Sequence, residues 1–334
     1  MRSRRDAMAG AAALSAFGAA ANAAAAQDAG SGAAVRSDEY WAEKGPVRLY
    51  LYRKRLDVPR AAAEGPRPVL FLVHGSSNSS RPSYDLTVPG KGEYSLMNVF
   101  ARWGWDVWTM DHEGYGRSSR TEGNSDIASG AADLVAAAAV VERETGVRRF
   151  HMLGESSGAL RAARFAQENP ERAGRLVLVA FTYTGRGSPT LEQRAMNLEY
   201  FRTHNRRPRG RDMIRSIFTR DKPGTSDMAV AEALADAELP YGEDIPTGTY
   251  LDMTANLPVV DPARVTSPVL LIRGEHDGIA SMADLWDFFD RLPNGDRQFT
   301  VLADAAHALT FGLNRAQFWH AAQAFLTMPP PVGA

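Results

Sequence analysis

The sequence predicts an α/β fold: a mostly parallel central sheet covered on both faces, with a helical lid inserted before the strand that carries an acid. Three observations predict it. Short apolar runs alternate with longer Ala-rich or amphipathic stretches, the pattern of strand–helix–strand units that build a parallel sheet. The run at 150–153 passes through Gly154-Glu155-Ser156-Ser157-Gly158 directly into an Ala-rich helical segment. From Thr184 to about Asp261 the alternation stops, and helical patterns and turn residues replace it before it resumes.

Each element has its own reason. After a polar stretch, residues 47–52 alternate apolar and polar positions, as in a strand near a sheet edge. Residues 68–73 are continuously apolar, as in a strand buried on both faces, and end at His74-Gly75-Ser76-Ser77. Residues 93–103 show helical spacing through Leu96, Val99, Phe100 and Trp103, and Gly104 stops them. Residues 105–110 form a further strand, closed by a turn from Asp111 to Ser118. An Ala-rich helix is expected over 127–145, with Gly146 as its C-cap. The elbow strand and helix follow, then a strand at 175–180. Beyond the interruption come a strand at 268–272, a helix at 283–292, a strand at 298–302 and a helix at 314–326. This divides the chain into a core of 27–183 and 262–334, with a lid at 184–261.

The chemistry is read from the elbow outward. A strand that turns at once into a helix crowds the backbone around Ser156, so its neighbours must be small and its hydroxyl is pushed out above the sheet. A serine nucleophile needs a base, and the base needs an orienting acid. Of the seven histidines, His151 sits inside the elbow strand, His320 inside the last helix and His204 in a basic lid segment. His307 follows the last strand, at the carboxyl edge where open α/β sheets bind ligands, and is the expected base. The acid comes from the turn bracketed by Gly274 and Gly278, which holds Glu275 and Asp277. Asp277 stands further into the loop and is favoured over Glu275. The chain order Ser156, Asp277, His307 matches one known arrangement of such triads. The absence of cysteine removes thiol nucleophiles, disulfides and thiolate metal sites together. No metal and no cofactor are expected.

Together, His74-Gly75 after a buried strand, the 111–118 turn, the Gly-Glu-Ser-Ser-Gly elbow, Gly274-Glu275-His276-Asp277 and His307 resemble the α/β-hydrolase superfamily. The resemblance covers nearly all of the chain outside the lid. It implies an oxyanion hole made by the backbone N–H groups of Ser76 and Ser157. Glu113 departs from the pattern, which often has Arg there. A serine at the elbow disfavours the dehalogenase and epoxide-hydrolase branches, which use Asp. The expected function is therefore hydrolysis of a carboxylic ester through an acyl-enzyme, with a small-molecule substrate and water as second substrate. The alternatives are a C–C bond hydrolase or amidase using the same triad, or a non-catalytic binding protein of the same fold.

Substrate contacts are expected from His112, Tyr115 and Tyr183, and an apolar pocket under the lid from Tyr200, Phe201, Met253 and Trp286. Residues 202–222 hold seven Arg and one Lys against two Asp. They are read either as an attractor of an acidic substrate or as a solvated helix face, the latter preferred. The formal net charge of −1 argues against nucleic acid or an anionic membrane surface as a partner. No segment approaches ~18 uninterrupted apolar residues, so no membrane span is expected. The N-terminus has Arg4-Arg5, a modestly apolar run and an Ala-x-Ala-like site, so residues 1–26 are expected to be a twin-arginine-like export signal to the periplasm or medium.

Overall fold

A computed structural model describes residues 33–58 and 65–329; the expected export signal lies outside them. Eight strands form one sheet: β1 (Val35–Lys44), β2 (Val47–Leu56), β3 (Val69–Val73), β4 (Asp106–Met110), β5 (Phe150–Glu155), β6 (Ala173–Val179), β7 (Val269–Gly274) and β8 (Arg297–Leu302). Their spatial order is β1-β2-β4-β3-β5-β6-β7-β8. Strands β1 to β2 and β2 to β4 pair antiparallel, and all other neighbours are parallel. Every side chain of β3, β4, β6 and β7 is buried, as expected of strands covered on both faces.

Strand β1 was expected as a polar stretch. It is an edge strand in a tight hairpin with β2, turned by Gly45 at φ 57°. Only Ala42 along it is fully buried, so no apolar alternation announces it.

The helices follow local signals. Those of five or more residues in α conformation are α1 (Ser80–Tyr84), α2 (Leu96–Arg102), α3 (Ile127–Thr145), α4 (Ser157–Glu168), α5 (Pro189–Ala195), α6 (Leu198–Thr203), α7 (Arg211–Thr219), α8 (Met228–Glu238), α9 (Met282–Asp290) and α10 (Arg315–Leu326). The Asp126 carboxylate caps α3 by accepting the Ser129 N–H at 2.7 Å, and Gly146 closes it in the left-handed conformation. The Ser95 hydroxyl caps α2 through the Asn98 N–H at 3.0 Å. Residues 93–94, expected within that helix, pair instead with Leu86–Thr87 in a short ribbon.

Helices α5 to α8 lie between β6 and β7, where the sequence alternation stops. Arg206–Pro208 and Asp244–Pro246 form a second short ribbon in this insertion. The insertion is tied to the core by a buried carboxylate. Glu238 at the end of α8 meets Arg209, and its two oxygens accept the Ser79 N–H and hydroxyl, each at 2.8 Å. Ser79 and Ser80 are fully buried, and Ser80 donates to Asp111 through both N–H and hydroxyl.

Candidate active site

The elbow is as tight as its glycines require. Ser156 stands at φ 57°, ψ −123°, a strained backbone for a residue with a side chain, immediately before α4. A Cβ on Gly158 would lie 2.1 Å from the Val73 carbonyl oxygen, and one on Gly154 would lie 2.4 Å from the Gly158 oxygen. Strand, helix and the end of β3 touch backbone to backbone, which is why small residues flank the serine.

The acid and base loops are pressed together in the same way. A Cβ on Gly274 would stand 2.5 Å from the Ala305 oxygen, and the His276 N–H donates to that same oxygen at 2.9 Å. Arg273 donates to the Asp277 carbonyl at 2.8 Å, stiffening the turn from within. Asp277 Oδ1 then accepts from His307 Nδ1 at 2.9 Å and from the Ile279 N–H at 3.0 Å. Burial opposes ionisation of Asp277, but His307 and these donors outweigh it and hold the carboxyl below its ordinary value. Glu275, the other acid of this turn, points outward and accepts the Asp304 N–H.

Ser156 and His307 line one small cavity, whose other walls include Gly75, Ser76, Glu155, Arg194, Phe218, Arg220 and Phe311. It holds about 60 Å³, where one water needs ~10–15 Å³. No hydrogen bond joins Ser156 Oγ to His307 among the described residues. Catalytic contacts of this kind commonly tighten only around a substrate.

Ser76 and Ser157 flank the serine as the resemblance implies. Ser157 opens α4, where a backbone N–H has no acceptor within the helix. A Cβ on Gly75 would lie 3.1 Å from the Glu155 oxygen, so the Ser76 loop rests directly on the elbow. The Ser76 and Ser157 hydroxyls bond each other at 2.8 Å, and Thr249 from the insertion donates to Ser76 Oγ at 2.9 Å. His74 pins the loop from below: its Nδ1–H donates to the Gly75 carbonyl, and its Nε2 accepts the His112 N–H at 3.1 Å. Burial, with His112 and Arg161 nearby, holds His74 neutral.

The expected substrate contacts lie elsewhere. His112 is fully buried; its Nδ1 pairs with Asp133 at 3.1 Å, and Asp133 also meets Lys44. Its place is under the loop, not in the cavity. Tyr115 is buried as well, and its hydroxyl donates to the Ser76 carbonyl at 3.0 Å, so it supports the Ser76 loop from behind. Tyr183 packs on Phe288 and faces a separate surface groove with Pro258 and Arg264. Trp286 is half exposed against Phe289 and Phe299, and Phe201 packs on Tyr250. Glu113, the departure from the pattern, is held by Lys44 at 2.8 Å.

Sequence reasoning missed Glu155, Arg194, Arg220 and Asp221. Burial pushes the Glu155 carboxyl up to about 7, with the Asp277 charge adding to it against the Thr310 hydrogen bond. An oxygen of Asp221, one of Asp277 and a ring nitrogen of His307 all lie within 4.8 Å of one another. That donor set could accept a divalent ion, but His307 Nδ1 and Asp277 Oδ1 are already engaged with each other, and Arg220 stands beside Asp221. Nothing in the spacing of these residues announces them, because the insertion delivers Arg194, Arg220 and Asp221 from remote sequence.

The described fold and cavity define an α/β hydrolase. The chain belongs to the serine aminopeptidase, S33, family, whose model matches residues 65–314. It is 29% identical over 131 residues to a 2-hydroxy-6-oxononadienedioate/2-hydroxy-6-oxononatrienedioate hydrolase of Paraburkholderia phymatum. That match spans 37% of this chain and 38% of the relative. Among solved structures it resembles 2-hydroxy-6-oxo-6-phenylhexa-2,4-dienoate hydrolase from Rhodococcus sp. strain RHA1, with TM-score 0.62 and 18% identity over 88% of this chain and all of that one. It is also similar to a bromoperoxidase from Bacillus anthracis, with TM-score 0.62 and 18% identity over 87% of this chain and all of that one. At these identities the structural likeness speaks for the fold.

Proposed function

We propose that this hydrolase opens a small carboxylic ester through an acyl-enzyme on Ser156. The observation that carries the reading is the meeting of a strained, elbow-borne Ser156 with the hydrogen-bonded His307–Asp277 pair on one cavity. Ser156 Oγ attacks the carbonyl carbon while His307 Nε2 takes its proton, and Asp277 steadies the imidazolium through Nδ1–H. The Ser76 and Ser157 N–H groups bind the oxygen as it becomes negative; losing one such donor typically costs roughly 10²–10³ in rate. His307 returns the proton to the leaving alcohol. A water, deprotonated by His307, then attacks the acyl-enzyme and frees the acid.

The test is Ser156→Ala. Hydrolysis of short 4-nitrophenyl esters and labelling by a fluorophosphonate should both vanish while the circular dichroism spectrum stays native. Undiminished hydrolysis in that variant would take Ser156 out of the mechanism. Failure of the folded wild type to react with either reagent would favour a binding protein of this fold.

The partial match to the Paraburkholderia phymatum enzyme favours a second reading, hydrolysis of a C–C bond next to a ketone by the same residues. A panel of esters and vinylogous 1,5-diketones separates the two. For the N-terminus we propose export by the twin-arginine route, which changing Arg4 and Arg5 together to Lys should block in a reporter fusion.

A further inference from the structure

Most of the basic segment at 202–222 is neutralised at home. Arg206 pairs with Asp244 at 2.7 Å, Arg209 with Glu238, Arg211 with Glu232 and Asp236, and Arg215 with Glu232. These are structural ion pairs, neither a bare solvated face nor a free attractor.

Two arginines of the insertion behave differently. Arg194 on α5 and Arg220 just after α7 both line the Ser156–His307 cavity. The Arg194 side chain makes no hydrogen bond or ion pair among the described residues, and its Nη1 is sealed from solvent without a partner. Its guanidinium lies over the Tyr250 ring at 5.1 Å, a contact that holds a cation in place yet leaves the N–H groups unused. Arg220 reaches Asp221 only at 3.5 Å through Nε, and its Nη2 is likewise buried without an acceptor.

Buried N–H donors of a charged group are costly when left unpaired, and guanidinium forks match carboxylate oxygens two at a time. Burial, with Arg220 nearby, lowers Arg194 to about 10, the mark of a cation lacking its counter-charge. An adjoining cavity of about 280 Å³ shares Ser77, Arg194, Ile217 and Arg220 with the first and adds Arg207, so the positive lining extends past the serine. The acid lining this cavity is Glu155, which tends to keep its proton, while Asp221 stands outside the lining, 3.5 Å from Arg220, and bears on Arg194 only through its charge. Apolar Ile217, Phe218, Leu234 and Phe311 complete the cavity's lining.

We propose that Arg194 and Arg220 are a binding site for a carboxylate carried by the substrate, so that the ester cleaved at Ser156 is that of a small anionic molecule with a short apolar link. This rests on the Ser156 reading for its chemistry, while the arginine site itself can be tested apart from it.

Two matched pairs of esters place the carboxylate on either side of the bond. Mono-4-nitrophenyl adipate against 4-nitrophenyl hexanoate tests the acyl side, and 4-acetoxybenzoate against phenyl acetate tests the alcohol side. The wild type should prefer the anionic member of at least one pair by tenfold or more in kcat/KM. Arg194→Gln and Arg220→Gln should each shrink that preference at least tenfold, whereas Arg194→Lys, which keeps the charge, should retain part of it. Equal turnover within both pairs, or a preference untouched by both Gln variants, overturns the proposal.

Should no ester be turned over, the Ser156 reading fails and calorimetry decides the site. Adipate should bind the Ser156→Ala protein and bind at least tenfold more weakly when Arg194→Gln is added. Absence of binding, or binding unaffected by that change, overturns the carboxylate site.

Discussion

Gly158 and Val73 meet so closely that a Cβ on the glycine would stand 2.1 Å from the valine's carbonyl oxygen. The elbow helix therefore rests directly on the end of β3, and this approach sets Ser157 beside the Ser76 loop. Neither partner is a flexible side chain that can give way. Gly158→Ala should cost about 1–3 kcal/mol through forced backbone movement. It should also lower ester turnover more than its stability loss explains, read as a drop in Tm alongside kcat.

Asp277 orients His307 through a 2.9 Å bond to Nδ1. Asparagine would fill the same space but offer an N–H or a neutral carbonyl, losing both the charge and the fixed tautomer. Asp277→Asn should lower kcat by about 10⁴ while leaving the fold intact. Steady-state kinetics with a matched urea titration would check it, and a loss of less than tenfold would return Glu275 to consideration.

Tyr115 holds the Ser76 loop from behind, its hydroxyl on the Ser76 carbonyl. Tyr115→Phe leaves that carbonyl one donor short, a loss of about 1 kcal/mol. The expected result is a fall of roughly fivefold in kcat with KM little changed. A rise in KM alone would instead put the tyrosine against substrate.

Glu155 keeps its proton in the folded protein up to about pH 7, whereas an unfolded glutamate releases it near ~4.3. Between those values the folded state binds the extra proton, so this group's contribution to stability falls as pH rises through the window and levels off above it. Glu155→Gln should flatten that slope. Relative to wild type, the variant should gain on the order of 1–2 kcal/mol between pH 5 and pH 7.5, a figure held down by the partial exposure of Glu155 to the cavity. Urea midpoints at the two pH values give the answer.

Arg209 and Glu238 are both almost completely buried and pair across the base of the insertion. Replacing one leaves the other charge stranded. Arg209→Met should cost on the order of 3–5 kcal/mol, and the damage should reach Ser79 and the loop from Ser76 through the Glu238 oxygens. Chemical denaturation and ester kinetics together would show both effects.

The sequence by itself determined the framework. Apolar runs marked strands β3, β5, β6 and β7 because parallel strands bury both faces, and Ala-rich periodicity with Asp126 and Gly146 bounded α3. Gly154 and Gly158 announced the elbow because only glycine tolerates those backbone approaches, and strand ends nominated Asp277 and His307. Elements lacking such a signature stayed hidden: β1, with only one fully buried residue, gave no apolar pattern to read.

Tertiary structure decided what meets the serine. Turn residues such as His112 and Tyr115 sit next to the active edge in sequence terms, but the packing of His74, Asp133 and Lys44 turns them beneath the loop. Arg194 and Arg220 are indistinguishable in sequence from the other arginines of an Arg-rich chain. What separates them is which acids lie within reach, and that depends on how α5, α7 and α8 are brought together around the Ser156 cavity. Charge pairing is a property of distances across the chain, so the framework and elbow of the hydrolase were legible in the residues, and the character of its cavity only in the fold.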